Sequence, residues 1–155
     1  MSTIHERFME VAIEEAQKAK AEGNVPVGTV IVRGEEIVAR GRNLVYTTMD
    51  PTAHSETVAL RQAGPALEQL DLSGCTLYTT FEPCPMCCGA ILVAQISTLV
   101  MGGRYNPAGS SYGTYSVEKL LGLVGWGSRL ELITGVLQGQ GEDIMRAWMA
   151  QKPLP

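Results

Sequence analysis

Glu82-Pro83-Cys84-Pro85-Met86-Cys87-Cys88 decides how the rest of the chain is read. Cys84 and Cys87 are three apart and follow a proline, which puts two thiols on one face of a helix's first turn. The positive end of the helix dipole favours the thiolate there, the form that binds metal. Upstream, Thr52-Ala53-His54-Ser55-Glu56 carries the only histidine outside the N-terminal segment. One imidazole and two thiolates make three zinc ligands and leave a fourth position open.

Working outward, the spacing predicts a helix over residues 4–21, with Phe8, Val11, Ala12, Ala16 and Ala19 on one face. Residues 25–32 read as a strand, 33–36 as a turn and 37–43 as its hairpin partner. Asp50-Pro51 reads as the cap and first residue of a helix to about Ala63, closed by Gly64-Pro65. A strand over 75–80, a helix opened by Pro83 or Pro85 and running to about Ala94, and a strand over 98–102 follow. A Gly-, Ser- and Tyr-rich connection leads to a helix capped by Ser116, a strand over 129–134 and a helix over 141–150. From the third strand on, strands alternate with helices, so they pair in parallel through crossovers. The expected fold is α/β, a three-layer α/β/α arrangement around a five-stranded mixed sheet, formed by residues 1–155 as one domain.

The chain has 155 residues, is 45% hydrophobic and carries a formal net charge of -4, with Lys and Arg scattered singly. A basic face for many phosphate contacts is not visible in that pattern, which weakens nucleic-acid readings. Met1 to Ala16 has no apolar leader core, and no stretch is long enough to span a bilayer. A cytoplasmic protein with reduced thiols is expected, so clustered cysteines point to metal or catalysis rather than disulfides.

Zinc held by His54, Cys84 and Cys87 brings a water to a pKa near ~7. Residues two apart on a helix point roughly 200° apart. His54 and Glu56 therefore both reach one site only from the helix tip, with His54 as ligand and Glu56 as proton shuttle. Such a carboxylate serves attack on an amidine-like carbon and then protonates the departing amine. Two rival readings of the cysteines are a redox pair and a closed site completed by Cys88; the roughly 100° step between adjacent helical residues argues against the latter.

His54-x-Glu56 followed by Pro83-Cys84-x-x-Cys87 resembles the zinc-dependent cytidine/deoxycytidylate deaminase superfamily of nucleobase, nucleoside and RNA deaminases. Asp50-Pro51-Thr52-Ala53-His54, Ala59-Leu60-Arg61-Gln62 and Thr76-Leu77-Tyr78 before Glu82 look especially like its bacterial tRNA adenosine deaminases, and the related guanine and cytosine deaminases share much of this. The resemblance implies one zinc ion on His54, Cys84 and Cys87, Glu56 as proton shuttle, Asn43 as a contact to the base, a cytidine-deaminase-like sheet with a parallel final strand, and a homodimer. Ser55 stands where the family usually has alanine and is taken as a hydroxyl near the pocket. Trp148 is taken as a ring for stacking on a bound base, with core packing as its alternative.

Two departures bear on the substrate. The loop Arg104-Tyr105-Asn106-Pro107-Ala108 lacks the lysine expected of the tRNA enzymes. The tail sets Arg146 and Lys152 against Glu142 and Asp143. The expected partner is therefore a small heterocyclic amine, a guanine- or cytosine-like base or nucleoside. A tRNA wobble adenosine is the alternative, disfavoured by the acidic balance and the tail.

Overall fold

The computed structural model describes residues 1–105 and 111–151. Asn106, Pro107, Ala108 and Lys152, on which the expectation about RNA contacts partly rests, lie outside the described residues.

Helix α1 spans Ile4–Ala21. Thr3 caps it reciprocally with Glu6, the Thr3 hydroxyl accepting from the Glu6 N–H at 3.1 Å. Strand β1 is Gly28–Arg33 and β2 is Glu36–Arg42, joined through Gly34 at φ +65°. β1 begins later than the sequence suggests because Val25–Val27 turns tightly, Val27 N–H donating to Val25 O at 2.8 Å. A short helix α2, Val45–Thr48, precedes α3, Ser55–Leu67. Then follow β3 (Cys75–Phe81), α4 (Pro85–Val93), β4 (Thr98–Gly103), α5 (Val117–Leu123), β5 (Glu131–Ile133) and α6 (Gln138–Gln151).

The sheet order is β2-β1-β3-β4-β5. β1 is antiparallel to β2 and β3, while β3–β4 and β4–β5 are parallel. Successive strand residues face opposite layers. Ile31, Leu77, Leu99 and Met101 pack with Ala59 of α3, Ile91 of α4 and Leu121 of α5. Val30, Val32, Tyr78 and Val100 pack with Met9, Ala12 and Ile13 of α1 and with Ile144 of α6. The fold is thus the expected three-layer α/β/α sandwich. Among the described residues no helix is long and apolar enough to cross a membrane.

Glycine sets two of the layer contacts. A Cβ on Gly28 would lie 2.0 Å from Ala12 O, so α1 rests directly on β1. A Cβ on Gly41 would lie 2.4 Å from Ser55 O and 2.7 Å from Ala59 N, so the start of α3 rests directly on β2.

The predicted start of α3 is corrected. Asp50 does not cap it: its Oδ1 accepts from Thr52 N–H at 2.8 Å and Thr52 Oγ1 at 2.7 Å, a local turn that competes with a helix. His54 occupies the cap position instead, in extended backbone at φ -72°, ψ 156°. The helix also runs through Gly64-Pro65 and stops at Glu68, which is left-handed at φ 53°.

Candidate metal centre and active site

Two helix N-termini meet at the carboxyl end of β3. His54 caps α3, and Cys84, at φ -66° and ψ 170°, caps α4 with Pro85 behind it. The Cys84 sulfur accepts from the Cys87 N–H at 3.4 Å. His54 Nδ1 lies 3.5 Å from Cys84 Sγ and 3.5 Å from Cys87 Sγ. These donor atoms all fall within 4.8 Å of one another. Both thiols are buried and His54 is partly so.

The electrostatics suit a cation. A hydrogen bond from the Cys87 thiol, helped by His54, holds Cys84 down to about 4. Cys87 is pushed up by that same bond to Cys84 and by burial. The bond to Cys84 raises the His54 imidazole. One nitrogen and two sulfurs on two positive helix ends fit zinc with one protein-free position. Cys88 does not fill that position: it is packed in the core beside Ala59 and Ile91, and burial pushes its thiol up to about 11.

Glu56 lies in the first turn of α3 and is 3% exposed. Its Oε1 accepts from Thr79 Oγ1 at 2.7 Å. Burial holds its carboxyl above the usual range. Thr79 was not singled out from the sequence, yet it follows Leu77 by two on a strand whose Leu77 faces α3, so a polar residue there points at that helix.

Asn43 follows β2 directly and is almost fully buried, and its Oδ1 accepts from Val45 N–H at 3.0 Å. Asn24, also missed, is fully buried and clamps the α2 turn: its Oδ1 accepts from Tyr46 N–H at 2.9 Å and Thr47 N–H at 3.2 Å. The expectation for Ser55 is corrected. It is fully buried, and its hydroxyl lies 2.8 Å from Thr29 Oγ1, where it ties α3 to the sheet instead of facing a pocket. Trp148 is half-buried on α6. Tyr105 stands edge-on to Phe81 with centroids 5.1 Å apart. Its phenol is pushed up by burial and then by the charges of Glu56 and Cys84.

The model of the cytidine and deoxycytidylate deaminase zinc-binding region matches residues 2–103. The chain belongs to this deaminase family. A member of it is a zinc-dependent hydrolase of C–N bonds, and here His54, Cys84 and Cys87 are positioned to bind the one metal ion. A relative named tRNA-specific adenosine deaminase from Bacillus subtilis (strain 168) is 37% identical, over 96% of this chain and 91% of its own length. The chloroplastic tRNA(adenine(34)) deaminase of Arabidopsis thaliana is 43% identical over 76% of this chain, which spans 10% of that protein's length. A solved structure from work on A-to-I editing by tRNA:A34 deaminases at the wobble position superposes with a TM-score of 0.79 at 33% identity, covering 89% of this chain and 98% of that one.

These similarities overturn two expectations, the free nucleobase or nucleoside substrate and the disfavoured tRNA partner. The error came from using net charge as a map. A total of -4 is a sum over the whole surface and does not locate the charges around one pocket.

Proposed function

We propose that this deaminase acts on a wobble adenosine of tRNA and leaves inosine. The observation that carries the substrate is the 37% identity to the B. subtilis tRNA-specific adenosine deaminase along nearly the full length of both chains. The chemistry rests on the buried Glu56 carboxylate beside the His54–Cys84–Cys87 cluster.

Bound zinc supplies a Lewis acid that makes a water easier to deprotonate. Glu56 takes the proton from that water as its oxygen bonds to C6 of the purine. It delivers the proton to ring N1, and then moves the water's second proton to the exocyclic nitrogen. The C6–N bond breaks, ammonia leaves and the carbonyl of inosine remains. Thr79 holds the carboxylate in place for these transfers. The base must leave the anticodon-loop stack to reach the buried cluster. Asn43 is assigned a hydrogen bond to the base through its Nδ2 amide, its Oδ1 being engaged with Val45. Trp148 is assigned stacking on a neighbouring base.

The chain is read as one deaminase domain in a cytoplasmic homodimer. Met86 and Val93, seven residues apart on α4, are both exposed and share one helical face, which supports the pairing. Light scattering of the purified protein at twice the chain mass is the expected result.

The substrate test compares an anticodon stem-loop carrying wobble adenosine with free adenosine, adenine, guanine and cytosine. Inosine in the stem-loop, at a rate that falls with salt, supports the reading. Ammonia release from a free base with no change in the stem-loop rejects it.

A further inference from the structure

Glu82 leaves β3 two residues before Cys84, and its side chain is only 2% exposed. Its carboxylate collects four donors. Oε1 accepts from Arg104 Nε at 3.3 Å and from Tyr105 N–H at 3.2 Å. Oε2 accepts from Arg104 Nη2 at 3.1 Å and from Val117 N–H at 2.9 Å. The backbone adds two ties: Glu82 N–H donates to Gly103 O at 2.7 Å, and Tyr115 OH donates to Pro83 O at 2.6 Å. The end of β4 and the start of α5 are thus both fastened to the two residues that precede the first thiolate.

A buried ion pair is weak evidence for stability, since apolar packing of the same volume often does as well. The arrangement gains its meaning from what it places. Tyr105 follows Arg104 directly and its N–H is one of the four donors. Its ring is braced edge-on by Phe81 at 5.1 Å and by Tyr112 at 5.7 Å. Its centroid also lies 6.4 Å from that of Tyr115, whose hydroxyl holds Pro83 O next to the Cys84 ligand. The ring therefore packs on Phe81 and Tyr115, which flank the turn that delivers Cys84, and its own main chain is pinned by a buried carboxylate.

We propose that Glu82 is a positioning residue for substrate binding: through Arg104 and the Tyr105 amide it holds the Tyr105 ring as the wall against which the reacting base packs. This rests on the reading of the substrate as adenosine in RNA. An aromatic face is tolerant of base identity but adds binding free energy that a truncated side chain loses. The sequence places a tyrosine at this point, and the clamp makes it a rigid one.

The test is steady-state kinetics on the anticodon stem-loop, with zinc content measured for each protein. Tyr105→Ala is expected to raise KM about tenfold, with the change falling on KM rather than kcat. Tyr105→Phe keeps the ring and recovers most of that loss. Glu82→Gln removes the charge that gathers Arg104 and raises KM in the same direction. The double variant Glu82→Gln/Tyr105→Ala is no weaker than Tyr105→Ala alone, because both act through one ring. If Glu82→Gln does not fold, Arg104→Lys, which loses the forked contact and keeps the charge, takes its place in the cycle. A folded, zinc-bound Tyr105→Ala with wild-type KM overturns the inference, as do effects that simply multiply. Wild-type protein that leaves the stem-loop adenosine unchanged overturns the tRNA reading instead.

Discussion

Thr79 Oγ1 and Glu56 Oε1 lie 2.7 Å apart, both buried, with the hydroxyl donating to the carboxylate. This contact joins the central strand to the first turn of α3 and fixes one carboxylate oxygen away from solvent. Thr79 Oγ1 also lies 3.1 Å from Phe81 O, but a hydroxyl has one proton and the shorter, charge-assisted contact takes it. Thr79→Val keeps the shape and removes the donor. We expect kcat to fall about tenfold, with zinc content and secondary structure retained. Unchanged kcat would show that Glu56 is held without Thr79.

Glu56 and the three ligands should separate cleanly by what they lose. Glu56→Gln is expected to cut kcat by on the order of a thousandfold while the metal stays bound. Cys84→Ser and Cys87→Ser should lose zinc and unfold at lower temperature, because the binding free energy of the metal is part of the folding free energy. Chelation of the wild-type protein should reproduce the second pattern and added zinc should reverse it. Metal analysis with thermal melts checks both.

Gly41 links the fold to the site. An added Cβ meets Ser55 O and Ala59 N, both backbone atoms of α3 that cannot rotate away. Gly41→Ala should cost about 1–3 kcal/mol in denaturant unfolding. Because α3 begins at the His54 cap and carries Glu56, the same change should also weaken zinc retention. A variant as stable as wild type would show that α3 can shift along the sheet.

Glu118 gives a pH prediction. Its hydrogen bonds to Arg104, at 2.6 and 2.9 Å, hold its carboxyl below the usual range. A carboxyl depressed in the folded state contributes stability that is present above its unfolded pKa, near ~4.3, and is lost as pH falls through the lower folded value. Glu118→Gln should therefore lower the melting temperature at neutral pH, and the gap to wild type should close as pH falls below that range. Glu118 is half exposed, so added salt should shrink the neutral-pH gap as well.

Much of this was legible in the sequence where local signals agreed with tertiary ones. The apolar face of Phe8, Val11, Ala12, Ala16 and Ala19 marks α1, Ser116 caps α5, and Pro85 opens α4 behind Cys84, each where its chemistry places it. The ligand cluster could be read because its spacing puts thiols on one helical turn. Asp50-Pro51 misled because aspartate caps a turn as readily as a helix, and Thr52 supplied the turn's donors. Ser55 misled because its neighbours in sequence face the site, whereas its own side chain rotates onto Thr29. Thr79 and Glu82 were invisible for a different reason. Their partners, Glu56 in the one case and Arg104 with Val117 in the other, are 22 to 35 residues away in the chain. The substrate class was misjudged because composition sums over a surface that the fold divides into separate regions.

We infer that the His54–Cys84–Cys87 site and Glu56 deaminate adenosine at the tRNA wobble position. The most direct measurement is nucleoside mapping of a full-length tRNA with wobble adenosine after incubation with zinc-loaded protein, set beside Glu56→Gln. Inosine at the wobble position alone is expected with wild type, and unaltered adenosine with the variant. Unaltered tRNA with wild type, or equal conversion by the variant, would contradict it.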